Sequence, residues 1–133
     1  MIMVILIHIH QEVAHSINKL KSGKAPGICG ITAELLKNGG LSTIFWLTNI
    51  ICPARESEVV PSDWKKGIIL LFYKGEESLQ DCQNYNGITL LSVLGKVFTH
   101  LLLSRVKPLL LLMRHREQSG FTPDGAAQLS TEF

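Results

Sequence analysis

The sequence predicts an α+β fold, with helices plus one antiparallel β-hairpin. Three observations carry that expectation. Apolar residues recur at helical spacing up to Glu56 and again from Ser92 onward. Two short β-prone runs, Gly67–Tyr73 and Tyr85–Leu91, stand between those regions. The stretch Lys74 to Asn84 that separates the two runs is polar, as a hairpin loop requires.

Composition sets the frame for these elements. The chain has 133 residues, 46% hydrophobic and 18% charged, which fits about one globular domain and not a disordered segment. Its 13 Lys+Arg and 11 Asp+Glu leave a net charge of +2 without a dense basic block, so net charge alone does not announce a nucleic-acid binder. Cys29, Cys52 and Cys82 are odd in number and lack CxxC spacing. This disfavours a disulfide framework or zinc knuckle and leads us to expect reduced thiols in an intracellular compartment, cytosolic or nuclear.

The elements follow in order. Met1–Ile7 is apolar, lacks a basic n-region and a small-residue cleavage site, and is far shorter than the ~20 residues of a membrane helix. Its β-branched content predicts a short strand or loosely packed tail, the N-terminal part of a tail over residues 1–11. Gln11 to Ser22 carries Val13, Ala14, Ile17 and Leu20 at helical spacing, and Gly23 stops it. Ser22–Gly27 is a turn cluster. Thr32 to Lys37 is a short helix with Thr32 as N-cap, ended by Gly39-Gly40. Leu41 to about Glu56 is a longer apolar helix that Pro53 should kink or end. The hairpin follows, its loop expected to be mobile. Ser92 to about Met113 returns to helix, with Val93, Val97, Phe98, Leu101 and Leu102 on one stripe and Pro108 as an interruption. Leu101 to Met113 contains Arg105, Lys107 and Pro108, which make a spanning helix costly and favour a buried or interface helix. Glu117 to Phe133 is polar without a period.

Several chemistries find no support. Gly23-Lys24 fails as a phosphate loop, because Asn18 and Ala25 occupy the places of its glycine and Ser/Thr. His8, His10 and His15 have no carboxylate or cysteine at a spacing that would complete a metal site. No GxSxG elbow is present. The hairpin is more informative. Lys65, Lys66 and Lys74 bracket it, and Tyr73 and Tyr85 sit beside its loop. Cations could hold phosphates there and aromatics could stack on bases. Lysines flank edge strands for solubility as well, so both readings stand on these residues alone.

The order of segments adds a resemblance. Leu20-Lys-Ser-Gly-Lys-Ala-Pro-Gly27 is followed by Gly30-Ile31 and Ala33–Lys37. Val60-Pro-Ser-Asp-Trp-Lys-Lys-Gly-Ile-Ile69, Tyr73-Lys74-Gly75 and Asn84-Tyr85 come next. Then follow Gly87–Val93, Gly95–Phe98 and Glu117–Pro123. This series resembles the reverse transcriptases of LINE-type (non-long-terminal-repeat) retrotransposons over about residues 12–123. The resemblance implies the partial fingers region of a right-hand polymerase, followed by a polar tail over residues 124–133. It implies that Lys74 approaches the phosphates of the incoming nucleotide and that Asn86 stands where the family has an arginine. Loss of that cation removes a charge-assisted phosphate contact. The family's Gly-x-Asp-Gly-Ile is Gly27-Ile-Cys29-Gly-Ile31 here, and its Phe-x-Pro-Gly-Arg is Phe121-Thr-Pro-Asp124-Gly125.

The resemblance also implies what this stretch does not hold. The family's catalytic carboxylates, which bind two Mg²⁺ ions, lie further on in the palm, and no Asp-Asp pair occurs in this chain. The expectation is therefore a truncated reverse-transcriptase-like protein, inactive alone, with no cofactor of its own. Its candidate nucleic-acid-binding residues are Lys65, Lys66, Lys74, Tyr73 and Asn86. RNA or DNA template-primer is the implied partner, bound weakly, and no membrane is involved. A rival expectation is a co-opted interaction fragment, which self-associates or binds a protein through the 101–113 helix. A third is a translated relic without function.

Overall fold

A computed structural model of the chain describes residues 2–75 and 78–113. Its helices are α1 (Ile2–Asn18), α2 (Ala33–Asn38), α3 (Gly40–Glu56) and α4 (Val93–Met113); strands β1 (Gly67–Tyr73) and β2 (Tyr85–Leu91) lie between α3 and α4. The α+β expectation is met.

Helix α1 corrects the reading of the N-terminus. Residues 2–10 are not a strand; they continue into the expected helix as one element. Isoleucine and valine cost only a few tenths of a kcal/mol each in a helix, whereas extending a nucleated helix adds a hydrogen bond per residue. The helix stops at Asn18, four residues short of the expected Ser22. Lys19 and Leu20 close its end with backbone bonds to His15 and Ile17. Gly23 then adopts φ +71°, the left-handed conformation that glycine enters without steric cost.

Thr32 caps α2 as predicted, its hydroxyl accepting from the Leu35 N–H at 3.2 Å. Pro53 lies inside α3, which ends three residues later at Glu56 as expected, and Pro108 lies inside α4, which runs on to Met113. Both prolines are exposed, so their rings point away from packed neighbours. Ser92 precedes α4 with its side chain buried; its hydroxyl lies 3.5 Å from the Gly95 N–H, and its carbonyl accepts from Lys96 at 3.0 Å.

The core forms where these helices meet. Ile9, Val13, Ile17 and Leu20 run along and just past α1, facing Leu36 of α2 and Leu47 and Ile51 of α3. Val93, Leu94, Val97, Phe98 and Leu101 supply the face of α4 that joins this core. Leu102, expected on the same stripe, is exposed. Trp64, in a 3-10 turn ahead of β1, packs against the core and lies 5.6 Å from the Phe98 ring. Residues up to Leu101 form one compact unit. Beyond it, Leu102–Met113 continues α4 as a separate unit, with every side chain exposed.

The turn before α2 is fastened to the start of α4. Gly27 is buried, and a Cβ there would meet the Leu91 carbonyl group and the Ser92 nitrogen at 2.6 Å. Only a glycine permits so close a backbone approach. Cys29 Sγ lies 3.4 Å from Ser92 Oγ beside it.

Candidate nucleic-acid interface

The hairpin forms as the pattern predicts. β1 and β2 pair antiparallel from Gly67↔Leu91 to Tyr73↔Tyr85. Because side chains alternate across a strand, Ile68, Leu70 and Phe72 share a face with Leu90, Ile88 and Asn86. Ile69, Leu71 and Tyr73 share the other with Thr89, Gly87 and Tyr85. Both faces reach solvent, with Ile69 and Leu71 each 68% exposed and Phe72 51%.

Side-chain hydrogen bonds brace the described part of the loop, residues 78–84. Asn84 is buried and its Nδ2 donates to the Ser78 carbonyl at 2.9 Å. The Tyr85 hydroxyl donates to the Leu79 carbonyl at 2.9 Å, and Asp81 accepts from the Gln83 N–H at 3.0 Å. These bonds enclose a 3-10 turn at Cys82–Asn84. Asparagine and aspartate close such turns by replacing backbone partners with their own side chains. Glu76 and Glu77 lie outside the described residues, as do Glu117–Pro123 of the motif series and the tail behind it.

The sequence-derived candidates separate into three places. Lys74 extends the ladder, its N–H donating to the Asn84 carbonyl at 2.8 Å, while its ammonium donates to the Gln83 carbonyl at 2.8 Å. By alternation Lys74 and Asn86 fall on the same face, one pleat apart. Tyr73 stacks with Tyr85 on the opposite face, ring centroids 5.5 Å apart and tilted by 50°. Lys65 and Lys66 are at the far end of β1, about 26 Å from Lys74 at ~3.3 Å per residue. Lys66 pairs with Asp63 at 3.8 Å across an exposed turn. The cations bracket the hairpin, as the sequence suggested, yet they do not converge on one point.

A second group of cations does converge, and sequence reading missed it. Lys19, Lys21 and Lys24 line one hollow together with Lys96 and His100 of α4. The local signals were three lysines within six residues, and a Lys–His pair at i, i+4. Nothing in the sequence joins those two segments, more than 70 residues apart.

Two titrating groups lie near that turn. Burial pushes the Cys29 thiol up, but the Ser92 hydroxyl and the backbone N–H groups of Ile31 and Val93 outweigh it and hold the thiol below its ordinary value. The backbone N–H of Gly23 donates to the Glu34 carboxylate and is the main cause holding that group below the usual carboxylate range. Among the described residues no grouping of three or more His, Cys, Asp or Glu side chains could hold a metal ion. The residues present therefore do not fit the Mg²⁺ pair that the resemblance implies. His10 packs instead against the Phe45 ring at 4.5 Å. No helix among the described residues is long and apolar enough to cross a membrane.

No family model matches the chain. Comparison with curated proteins does find relatives in Drosophila melanogaster. The chain is 29% identical over 116 residues to a probable RNA-directed DNA polymerase from transposon X-element, covering 85% of this chain and 12% of that protein. It is 27% identical over 100 residues to a probable RNA-directed DNA polymerase from transposon BS, covering 75% of this chain and 11% of the relative. It is 29% identical over 101 residues to a 115 kDa protein in type-1 retrotransposable element R1DM, covering 74% and 10%. The chain thus has distant similarity, over most of its length, to the reverse transcriptases of non-long-terminal-repeat retrotransposons, and it spans 10–12% of the length of these relatives.

Proposed function

We propose that this chain is the fingers-side portion of a LINE-type reverse transcriptase and that it contacts the phosphates of an RNA or DNA strand through the β1–β2 hairpin. The observation that supports this most is the pairing register. It sets Lys74 and Asn86 on one face, at the positions where the resembling family carries a lysine and an arginine. Lys74 supplies a cationic donor; Asn86 supplies only a neutral amide, without the charge and bidentate fork of an arginine. Tyr73 and Tyr85 offer a stacking surface on the other face. The 133 residues lack the carboxylate set for two-metal nucleotidyl transfer, so by themselves they bind and do not polymerise.

A salt titration by fluorescence anisotropy on a labelled single-stranded RNA tests this reading. The expected affinity is weak, with a log–log slope of about 0.7 per neutralised phosphate. Asn86→Arg should tighten binding and Lys74→Ala should weaken it. Unchanged affinity in both variants would sink the assignment.

A second reading, favoured by the exposed leucines of Leu102–Met113, is an interaction fragment that self-associates through this segment. Sedimentation at rising concentration separates the two. A concentration-dependent oligomer without RNA affinity supports the second, and a monomer that binds RNA supports the first.

A further inference from the structure

The cationic hollow at the end of α1 is a different feature from the hairpin. Lys19, Lys21 and Lys24 come from the end of α1 and the following turn; Lys96 and His100 stand one helical turn apart on α4. They surround a cavity of about 350 Å³, a size at the lower end of small-molecule sites, roughly 300–1,000 Å³. Leu20, Ala33 and Val93 line it too, and all are buried. Among the described residues none of the four lysines pairs with a carboxylate. The nearby Glu34 carboxylate is occupied by the Gly23 N–H.

Solvated lysines on a convex surface spread apart. Here distant segments bring them to one concavity, where low-dielectric walls focus their field. Four lysine charges around one hollow repel each other, and the single Glu34 carboxylate beside the turn does not balance them, so the arrangement is most stable when a ligand supplies further negative charge. A smaller hollow of about 170 Å³ beside Trp64 shares Lys96 and His100, so this ridge of α4 is reachable from two sides. A single small anion needs only one of those openings; a linear row of phosphates uses both.

We propose that this hollow binds a phosphate chain, supplied either by a free nucleoside polyphosphate or by consecutive phosphates of a nucleic-acid strand. The inference is independent of the hairpin assignment and stands if the hairpin binds nothing. The ammonium groups act as point-charge donors to phosphate oxygens.

Titration calorimetry of the whole chain with sodium tripolyphosphate, sodium sulfate and a short oligouridylate tests it. Wild type should bind tripolyphosphate more tightly than sulfate. The double variant Lys24→Gln/Lys96→Gln should lose at least about tenfold in affinity, the equivalent of ~1.4 kcal/mol, with its circular dichroism unchanged. If that variant does not fold, the single changes Lys21→Gln and Lys24→Gln, both at exposed turn positions, replace it. Arg55→Gln, at the end of α3 and outside both the hollow and the hairpin, should leave tripolyphosphate binding within about twofold. Oligouridylate that competes with tripolyphosphate and binds more tightly identifies a strand as the source; tighter tripolyphosphate identifies a free polyphosphate. Absence of binding by the folded chain, equal affinity in wild type and the Lys24/Lys96 variant, or equal losses in that variant and the Arg55 control would each overturn the proposal.

Discussion

Adding one methyl group at Gly27 should be among the most damaging small changes in this protein. A Cβ at that position would stand 2.6 Å from the Leu91 carbonyl carbon and oxygen and the Ser92 nitrogen. Real Cβ contacts do not approach so near, and the obstructing atoms are backbone, which cannot rotate aside. Either the 22–30 turn lifts away or the β2–α4 junction shifts, and Ser92, the cap of α4, is part of that junction. Overpacking of this kind costs about 1–3 kcal/mol. For a unit of roughly 100 residues, that lowers the melting temperature by about 4–8 °C per kcal/mol. Gly87→Ala is the matched control: its Cβ would meet only Ile69 and Leu71 side-chain carbons at 3.9 Å, and its φ is not in the left-handed region. Glycine inside a strand is itself mildly unfavourable, so Gly87→Ala should be neutral or stabilising by about 0.5 kcal/mol. Urea unfolding followed by circular dichroism gives both values. A Gly27→Ala midpoint indistinguishable from wild type, or a larger loss at Gly87 than at Gly27, would refute the claim that backbone contact fastens the turn to α4.

Leu47→Ala removes a side chain with no solvent exposure and should cost about 2–5 kcal/mol, whereas Leu71→Ala, at 68% exposed, should stay within about 0.5 kcal/mol in the same urea titration. Because the Cys29 thiol is held below its ordinary value in the fold, alkylation by iodoacetamide should accelerate at lower pH for folded Cys29 than for the urea-unfolded chain, and Ser92→Ala should move that profile upward. The linked stability has the matching sign: it is present above the unfolded thiol's pKa and lost as pH falls through the lower folded one. Coincident folded and unfolded profiles, read by mass spectrometry, would exclude this effect. Incubated with RNA template, primer, labelled deoxynucleotides and Mg²⁺, the purified 133-residue chain should extend no primer; incorporation that survives removal of contaminating polymerases would contradict the missing carboxylate set.

Local chemistry was legible in the sequence, and tertiary convergence was not. Thr32 announced its cap, because it acts on backbone groups within a few residues, whereas α1 ended at Asn18, well before Gly23. The strand runs announced their pairing, since two β-prone segments around a polar loop have few other ways to satisfy their backbone. Residues 2–10 misled because β-branched composition is a weak preference that an adjoining helix overrides. Within the candidate interface, the shared face of Lys74 and Asn86 came from the pairing register, which the strand runs by themselves do not specify. The separation of Lys65 and Lys66 from them follows from strand length. The meeting of Lys21 and Lys24 with Lys96 depends on how the 22–30 turn docks at Ser92, which no local pattern encodes.

The exposed hairpin has a consequence for how the molecule breathes and how it behaves in concentrated solution. A two-stranded ribbon without a covered face is marginal by itself. Its amides should exchange with deuterium at far lower opening free energies than those of α1, α3 and the first half of α4, which open only with the cooperative core. Among the described residues each strand has one partner, so each outer rim offers alternate N–H and C=O groups to a neighbouring molecule, beside side chains as apolar as Ile69 and Leu71. Such rims template further strand addition, and lysines at the strand ends, as at Lys66 and Lys74, are the charges that oppose it. Neutralising those lysines should shorten the lag before thioflavin-positive assembly without lowering the unfolding midpoint of the helical core.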